Sequence, residues 1–206
     1  MGGGIAHVCA TSGYSVALHD LKKELFEKGL ETIAGNMDRQ IAKELLSEAD
    51  KTKALKRITF AEKLEDFGDC DIVIEAATED EDLKHKIFAA LCPHLKRTAL
   101  LASNTSSISI TRRAATTDRP EDFIGMHFMN PVPAMKLVEI IRGIATEEDT
   151  YQAIRAVVEK LGKTSVTAED FPAFIVNRIL LPMINEAVYT LYEGVGSVKS
   201  IDESLK

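Results

Sequence analysis

The chain has 206 residues, a formal net charge of −7 and 45% hydrophobic residues, an ordinary balance for a globular protein. The acidic balance argues against a nucleic-acid partner, and no apolar run reaches the roughly 18–20 residues that a membrane span needs. The first residues lack a leader pattern and the three cysteines show no metal-like spacing, so we expect a protein of the reducing cytoplasm without a metal site.

Helix and strand patterns alternate along the first part of the chain. In order, we expect a helix at 2–12, a strand at 15–19, helices at 21–47 and 48–55, strands at 57–60 and 71–76, a helix at 82–95, a strand at 99–103, a helix at 108–115, strands at 123–126 and 136–142, a helix at 147–161 and a strand at 165–168. The run DIVIEA at 71–76 is typical of a strand inside a parallel sheet. The alternation predicts an α/β fold with a Rossmann-like, doubly wound sheet.

The pattern changes near Asp170. Residues 174–193 predict one long apolar helix, and no strand follows it. We therefore expect a Rossmann-like domain at 1–169 and the beginning of an all-helical domain at 170–206.

The glycine-rich start is the first candidate ligand site. A dinucleotide fold opens with a strand, then GxGxxG, then a helix whose N-terminus faces the pyrophosphate. No strand precedes the first glycines here, so Gly2 to Gly4 resemble only the end of that fingerprint, with a flexible terminus as the alternative. Asp20 closes the strand at 15–19, where a carboxylate binds an adenosine ribose; capping of the next helix is the alternative.

Two further clusters follow predicted strands. The hydroxyl and amide groups of SNTSS, residues 103–107, suit a substrate oxygen, although Ser106 or Ser107 could instead cap a helix. His127 opens the loop HFMNPVP, and Glu139 lies inside the apolar strand LVEII, where a carboxylate is costly unless paired. A histidine held by a carboxylate is suited to take a proton at neutral pH, while a structural histidine is the alternative.

Four segments resemble a known family: IEAATED, LASNTSSISI, IGMHFMNPVPAMKLVEIIRG and FIVNRILLPMINEA. They are similar to short-chain, L-specific 3-hydroxyacyl-CoA dehydrogenases, above all to bacterial members acting on 3-hydroxybutanoyl-CoA. The resemblance covers essentially the whole chain. It implies reversible, NAD-dependent oxidation of a (3S)-3-hydroxyacyl-CoA to the 3-ketoacyl-CoA.

The resemblance implies roles for the candidates. His127 corresponds to the catalytic base and Glu139 to its partner, while Ser106 and Asn177 correspond to residues that bind the substrate oxygen. The residues expected to bind NAD are Gly2, Gly4, Asp20, Glu79, Lys84 and Asn104. Arg39 and Lys43, four apart, could present both charges to the phosphates of coenzyme A from one helix face, or simply face solvent.

Three departures from the family accompany the resemblance. The opening strand is absent, Ala173 stands where the family usually has glycine, and most of the C-terminal helical domain, which forms the dimer in the family, does not follow. We therefore expect the strands at 15–19 and 71–76 to lack their shared neighbour. We also expect this fragment of a homo-oligomeric enzyme to bind NADH far more weakly than an extended version, to show little or no turnover and to self-associate. A dehydrogenase of free hydroxy acids and a non-catalytic fragment are the alternative interpretations.

Overall fold

The computed structural model describes all 206 residues. The strands are β1 (Val16–Leu18), β2 (Ile58–Phe60), β3 (Ile72–Glu75), β4 (Leu100–Ser103), β5 (Phe123–Phe128), β6 (Leu137–Arg142) and β7 (Thr164–Glu169). The helices are α1 (Gly2–Thr11), α2 (Lys23–Ile41), α3 (Glu48–Lys56), α4 (Glu81–Leu91), α5 (Ile110–Ala114), α6 (Glu148–Lys160), α7 (Val176–Tyr192) and α8 (Val198–Ser204). Every predicted element is present, and α8 is an addition to them.

Helix α2 ends at Ile41, earlier than the predicted end at residue 47. Glu44 has a φ of 59°, and the amide of Leu45 donates to the carbonyl of Gln40. This left-handed turn ends the helix although the following residues are good helix formers. The Ser47 side chain then caps α3 by accepting a hydrogen bond from the amide of Asp50.

The strands form two sheets. In the larger sheet the order is β3-β4-β5-β6-β7, and the smaller sheet pairs β1 with β2. All pairs are parallel except β5 with β6, which a short loop without a helix connects. Strands β1 and β3 are not hydrogen-bonded to each other. The gap lies where the doubly wound order 3-2-1-4-5-6 would place an opening strand, in agreement with the sequence-based expectation that these two strands lack a shared neighbour.

Helices cover both faces of the large sheet. Residues of α4 and α5 contribute to one apolar cluster, in which Phe88 meets Phe123 edge to face at 5.0 Å. Residues of α1 and α6 contribute to a second cluster on β4, β5 and β6. A third cluster joins α1, α2 and α3 to the small sheet. This layering brings the N-terminus of α1 and the carboxyl ends of the parallel strands to one edge.

The last two helices differ from the rest because neither α7 nor α8 contains a buried residue. Large apolar side chains along them are exposed to solvent, among them Ile179, Leu181, Ile184, Val188, Tyr192 and Val198. No helix of the structure, α7 included, is long and apolar enough to cross a membrane.

Candidate active site

His127 and Glu139 face each other across the antiparallel strands β5 and β6. They occupy the same register position, and the Nδ1 atom of His127 lies 2.7 Å from Oε2 of Glu139. His127 is 6% exposed and Glu139 is 0% exposed. A carboxylate can only accept, so Nδ1 donates and Nε2 is left as the proton acceptor of the neutral ring. Nε2 makes no hydrogen bond within the protein.

The second oxygen of Glu139 binds the start of α7. Oε1 accepts hydrogen bonds from the amides of Ile175 and Val176, at 3.0 and 2.9 Å. The positive end of the helix dipole adds to the stabilisation of this buried carboxylate. Glu139 is therefore fully paired, which explains how the strand LVEII tolerates a charge.

The loop after β4 lies beside the dyad. The amide oxygen of Asn104 accepts from the amide of Phe128 at 2.9 Å, which links this loop to the residue after His127. Ser106 is half-buried, and its hydroxyl makes no hydrogen bond within the protein, so it is available to a ligand. The side-chain amide of Asn177 lies 3.4 Å from the carbonyl of Ser106. The structure therefore brings His127, Asn104, Ser106 and Asn177 together.

Neither Ser106 nor Ser107 caps a helix, so that alternative is wrong. Helix α5 is capped by Ser109, whose hydroxyl accepts from the amide of Arg112. Asp170 assists by accepting from the Ser109 hydroxyl and from the amides of Ile110 and Thr111. Although burial acts to raise the pKa of Asp170, these hydrogen bonds hold it below its usual value.

Glu79 holds the same loop in place. Its Oε1 accepts from the Thr105 hydroxyl and the Ser106 amide, both at 2.6 Å. Burial acts to raise the pKa of Glu79, but these bonds and the nearby charge of Lys84 lower it below its usual value. The carboxylate is therefore ionised at neutral pH and orients the loop that carries Ser106.

Lys84 is completely buried beneath this loop. Its Nζ lies 2.7 Å from Oε1 of Glu75 and 3.6 Å from Glu79, while Oε2 of Glu75 accepts from the Ser103 hydroxyl at 2.7 Å. Lys84 and Glu75 thus join the ends of β3 and β4 to α4. In this structure the ammonium group contacts both glutamates.

The candidate cofactor residues lie where α1 begins. The amides of Gly2 and Gly3 have no backbone acceptor, and a Cβ on Gly2 would meet Ala76, just after β3, at 3.9 Å. Two free amides at a helix N-terminus suit a pyrophosphate. A Cβ on Gly4 would lie 3.0 Å from Val132, so this glycine lets α1 approach the proline-containing loop closely. Asp20 is exposed at the end of β1.

Asp20 does not cap α2, so that alternative is wrong. Lys22 is the N-cap residue, and the Asp20 carboxylate accepts only from the adjacent amide of Leu21. Its remaining oxygen is free at the edge where ligands bind in such sheets.

Arg39 and Lys43 are both exposed. Arg39 lies in the last turn of α2 and donates to Asn36. Lys43 lies outside the helix, in the turn that closes it, and the expectation that one helix spans both residues is therefore wrong. No hydrogen bond connects either residue to the dyad.

Nothing in the structure groups three or more histidine, cysteine, aspartate or glutamate side chains as metal ligands. The fold is a doubly wound sheet with free amides at the first helix, a free carboxylate after β1 and a buried His–Glu pair. These are features expected of an NAD-dependent dehydrogenase.

Comparison with known proteins identifies the family. The family profile described as 3-hydroxyacyl-CoA dehydrogenase, NAD binding domain, matches residues 1–171, and the profile of the C-terminal domain matches residues 174–206. The chain belongs to the 3-hydroxyacyl-CoA dehydrogenases, which are NAD-dependent oxidoreductases.

Individual relatives agree with this assignment. The chain is 61% identical over 206 residues to the 3-hydroxybutyryl-CoA dehydrogenase of Bradyrhizobium diazoefficiens, covering 70% of that protein. It is 47% identical to a probable 3-hydroxybutyryl-CoA dehydrogenase of Bacillus subtilis, covering 72% of it. The crystal structure of (S)-3-hydroxybutyryl-CoA dehydrogenase from Ralstonia eutropha superposes with a TM-score of 0.96 at 50% identity, with 100% of this chain and 73% of that chain covered.

Proposed function

We propose that this protein oxidises (3S)-3-hydroxybutanoyl-CoA reversibly to the 3-ketoacyl-CoA, with His127 as the base that takes the hydroxyl proton. The buried His127–Glu139 pair carries the proposal, because it leaves Nε2 as the proton acceptor of the neutral ring. NAD, when bound, accepts the hydride from C3 of the substrate. The names of the relatives support the choice of substrate.

Three further residues orient the base and the substrate. Glu139 holds the imidazole in one tautomer and stabilises the cation that forms when the proton arrives. We assign the Ser106 hydroxyl and the Asn177 amide to the substrate oxygen. Holding the substrate next to the base supplies part of the rate enhancement.

On the cofactor side, we assign the amides at the start of α1 to the pyrophosphate and Asp20 to the adenosine ribose. Asn104 and Glu79 shape the nicotinamide end. The buried ammonium group of Lys84 pairs with the carboxylates of Glu79 and Glu75 and holds them in place.

A comparison of substrates tests the function. NADH oxidation is measured with acetoacetyl-CoA and, in parallel, with free acetoacetate. We expect faster turnover with the thioester than with the free acid. Faster turnover of the free acid would favour a dehydrogenase of free hydroxy acids, and no turnover of either would favour a non-catalytic fragment.

We assign Arg39 and Lys43 to the phosphates of coenzyme A, since both are exposed cations at one end of α2. Substitution of either by Gln should raise KM for acetoacetyl-CoA and leave kcat unchanged. Lys28→Gln, an exposed cation elsewhere on α2, is the matched control. An unchanged KM in both variants would remove this assignment.

The exposed apolar side chains of α7 and α8 support a homodimer formed through the helical segment. We also propose that residues 1–169 and 170–206 belong to separate domains and that the protein works in the cytoplasm. Light scattering of the purified protein tests the dimer: we expect twice the chain mass, and a monomer at all concentrations would contradict it.

A further inference from the structure

Phe174 lies in the turn that connects β7 to α7. Its φ is 52°, and that of the preceding Ala173 is 65°, so two successive residues with side chains occupy the left-handed region. This conformation is unfavourable for residues other than glycine and persists only where surrounding contacts impose it. Phe174 is 4% exposed, so its side chain supplies such contacts.

The turn contacts both members of the dyad. The ring of Phe174 lies against the imidazole of His127, with centroids 5.8 Å apart and planes at 58°. The next two amides, of Ile175 and Val176, bind Glu139. The backbone conformation of this turn therefore places a ring on the base and two donors on its carboxylate.

The contact with the ring has a geometric consequence for His127. The bond to Glu139 restrains the imidazole at one atom, Nδ1, and the edge that carries Nε2 can still pivot through small changes of the two side-chain torsions. The side-chain torsion of histidine next to the ring is broad, so it opposes that pivoting weakly. An aromatic ring packed against the imidazole restricts the motion and fixes the direction in which Nε2 points.

We propose that Phe174 is a positioning residue that aims Nε2 of His127 at the substrate hydroxyl, an inference that rests on the proposed function. Phe174→Leu keeps an apolar side chain in the core and removes the flat surface. We expect kcat to fall about 10- to 100-fold, as for a misplaced catalytic group, with KM and NADH affinity within about twofold of the parent protein. Phe88→Leu makes the same change in the same apolar cluster, away from the dyad, and should lower stability without this loss of kcat.

The experiment uses the 206-residue chain, with acetoacetyl-CoA and NADH, at a temperature where circular dichroism shows every variant folded. Phe174→Leu is also combined with Glu139→Gln. Because both residues act through the imidazole, the combined loss of kcat should be smaller than the product of the single losses.

Two results would overturn the role of Phe174: a kcat no lower than that of Phe88→Leu, or single effects that multiply fully. A parent protein that reduces free acetoacetate faster than acetoacetyl-CoA would instead contradict the proposed function, and this inference with it.

Discussion

Glu139 binds His127 through one carboxylate oxygen, 2.7 Å from Nδ1, and the first two amides of α7 through the other. The orientation of the base therefore depends on two strands of the sheet and on the first helix of the C-terminal segment together. A displacement of α7 would remove two donors from the carboxylate and alter its interaction with the imidazole.

Asp20 predicts the choice of cofactor. A carboxylate at the adenosine ribose accepts from its hydroxyls and repels the 2′-phosphate of NADP. We expect NADH to be preferred over NADPH in kcat/KM by at least about tenfold, equivalent to about 1.4 kcal/mol. Asp20→Asn should lower the ratio of kcat/KM with NADH to kcat/KM with NADPH. Asp69→Asn, an exposed control, should leave this ratio unchanged. Equal efficiency with both cofactors in the parent protein would remove this role for Asp20.

Arg113 predicts a substitution that raises stability. It is 2% exposed on α5, and the backbone carbonyl of Glu81 accepts from its Nη2, while its Nε has no partner and no carboxylate forms an ion pair with it. Burial lowers the pKa of this guanidinium. Because a buried charge without a counter-ion is costly, Arg113→Leu should raise the free energy of unfolding by about 1–4 kcal/mol in urea titrations. Arg112→Leu, exposed on the same helix, should change it by at most about 0.5 kcal/mol. A less stable Arg113→Leu protein would show that the hydrogen bond to the Glu81 carbonyl outweighs the cost of burying the charge.

The burial of His7 makes the free energy of unfolding depend on pH. It is 1% exposed, its Nε2 lies 3.0 Å from the Gln40 oxygen, and Nδ1 has no partner. Burial lowers the pKa of His7, outweighing the bond to Gln40, so the unfolded chain takes up this proton more readily. The stabilisation that neutral His7 gives the folded protein is therefore complete above about pH 6.5. It declines as the pH falls through that value towards the lower pKa of the folded state.

The free energy of unfolding, measured in urea between about pH 8 and pH 5, tests this stabilisation. The part due to His7 changes by at most about 1.4 kcal/mol per pH unit. His7→Gln should have a flatter profile than the parent protein, and His85→Gln, an exposed histidine on α4, should retain the parent slope. Parallel profiles for His7→Gln and the parent would contradict the account.

Local patterns sufficed to predict the order of helices and strands, because apolar periodicity and turn residues are encoded within each segment. The pairing of His127 with Glu139 was also predictable, since a carboxylate inside an apolar strand needs a partner. The end of α2 could not be predicted, because Glu44 adopts a left-handed conformation that no residue preference indicates.

Contacts between distant segments could not be predicted from the sequence either. Lys84 was assigned to the cofactor site from the resemblance, but its ion pair with Glu75 could not be foreseen, because it depends on how β3, β4 and α4 meet. Phe174 and Arg113 are similar cases, because the direction of a side chain depends on how whole elements pack. No spacing rule connects residue 174 to residue 127.

The most direct test of the account is the rate of acetoacetyl-CoA reduction by His127→Ala and Glu139→Gln, with NADH affinity measured in the same proteins. If His127 moves the proton, His127→Ala should lower kcat by about 10²- to 10⁴-fold, and Glu139→Gln should lower it as well. NADH affinity should stay near that of the parent protein, because neither residue is assigned to the cofactor. A His127→Ala protein with near-normal kcat would contradict the assignment of His127 as the base.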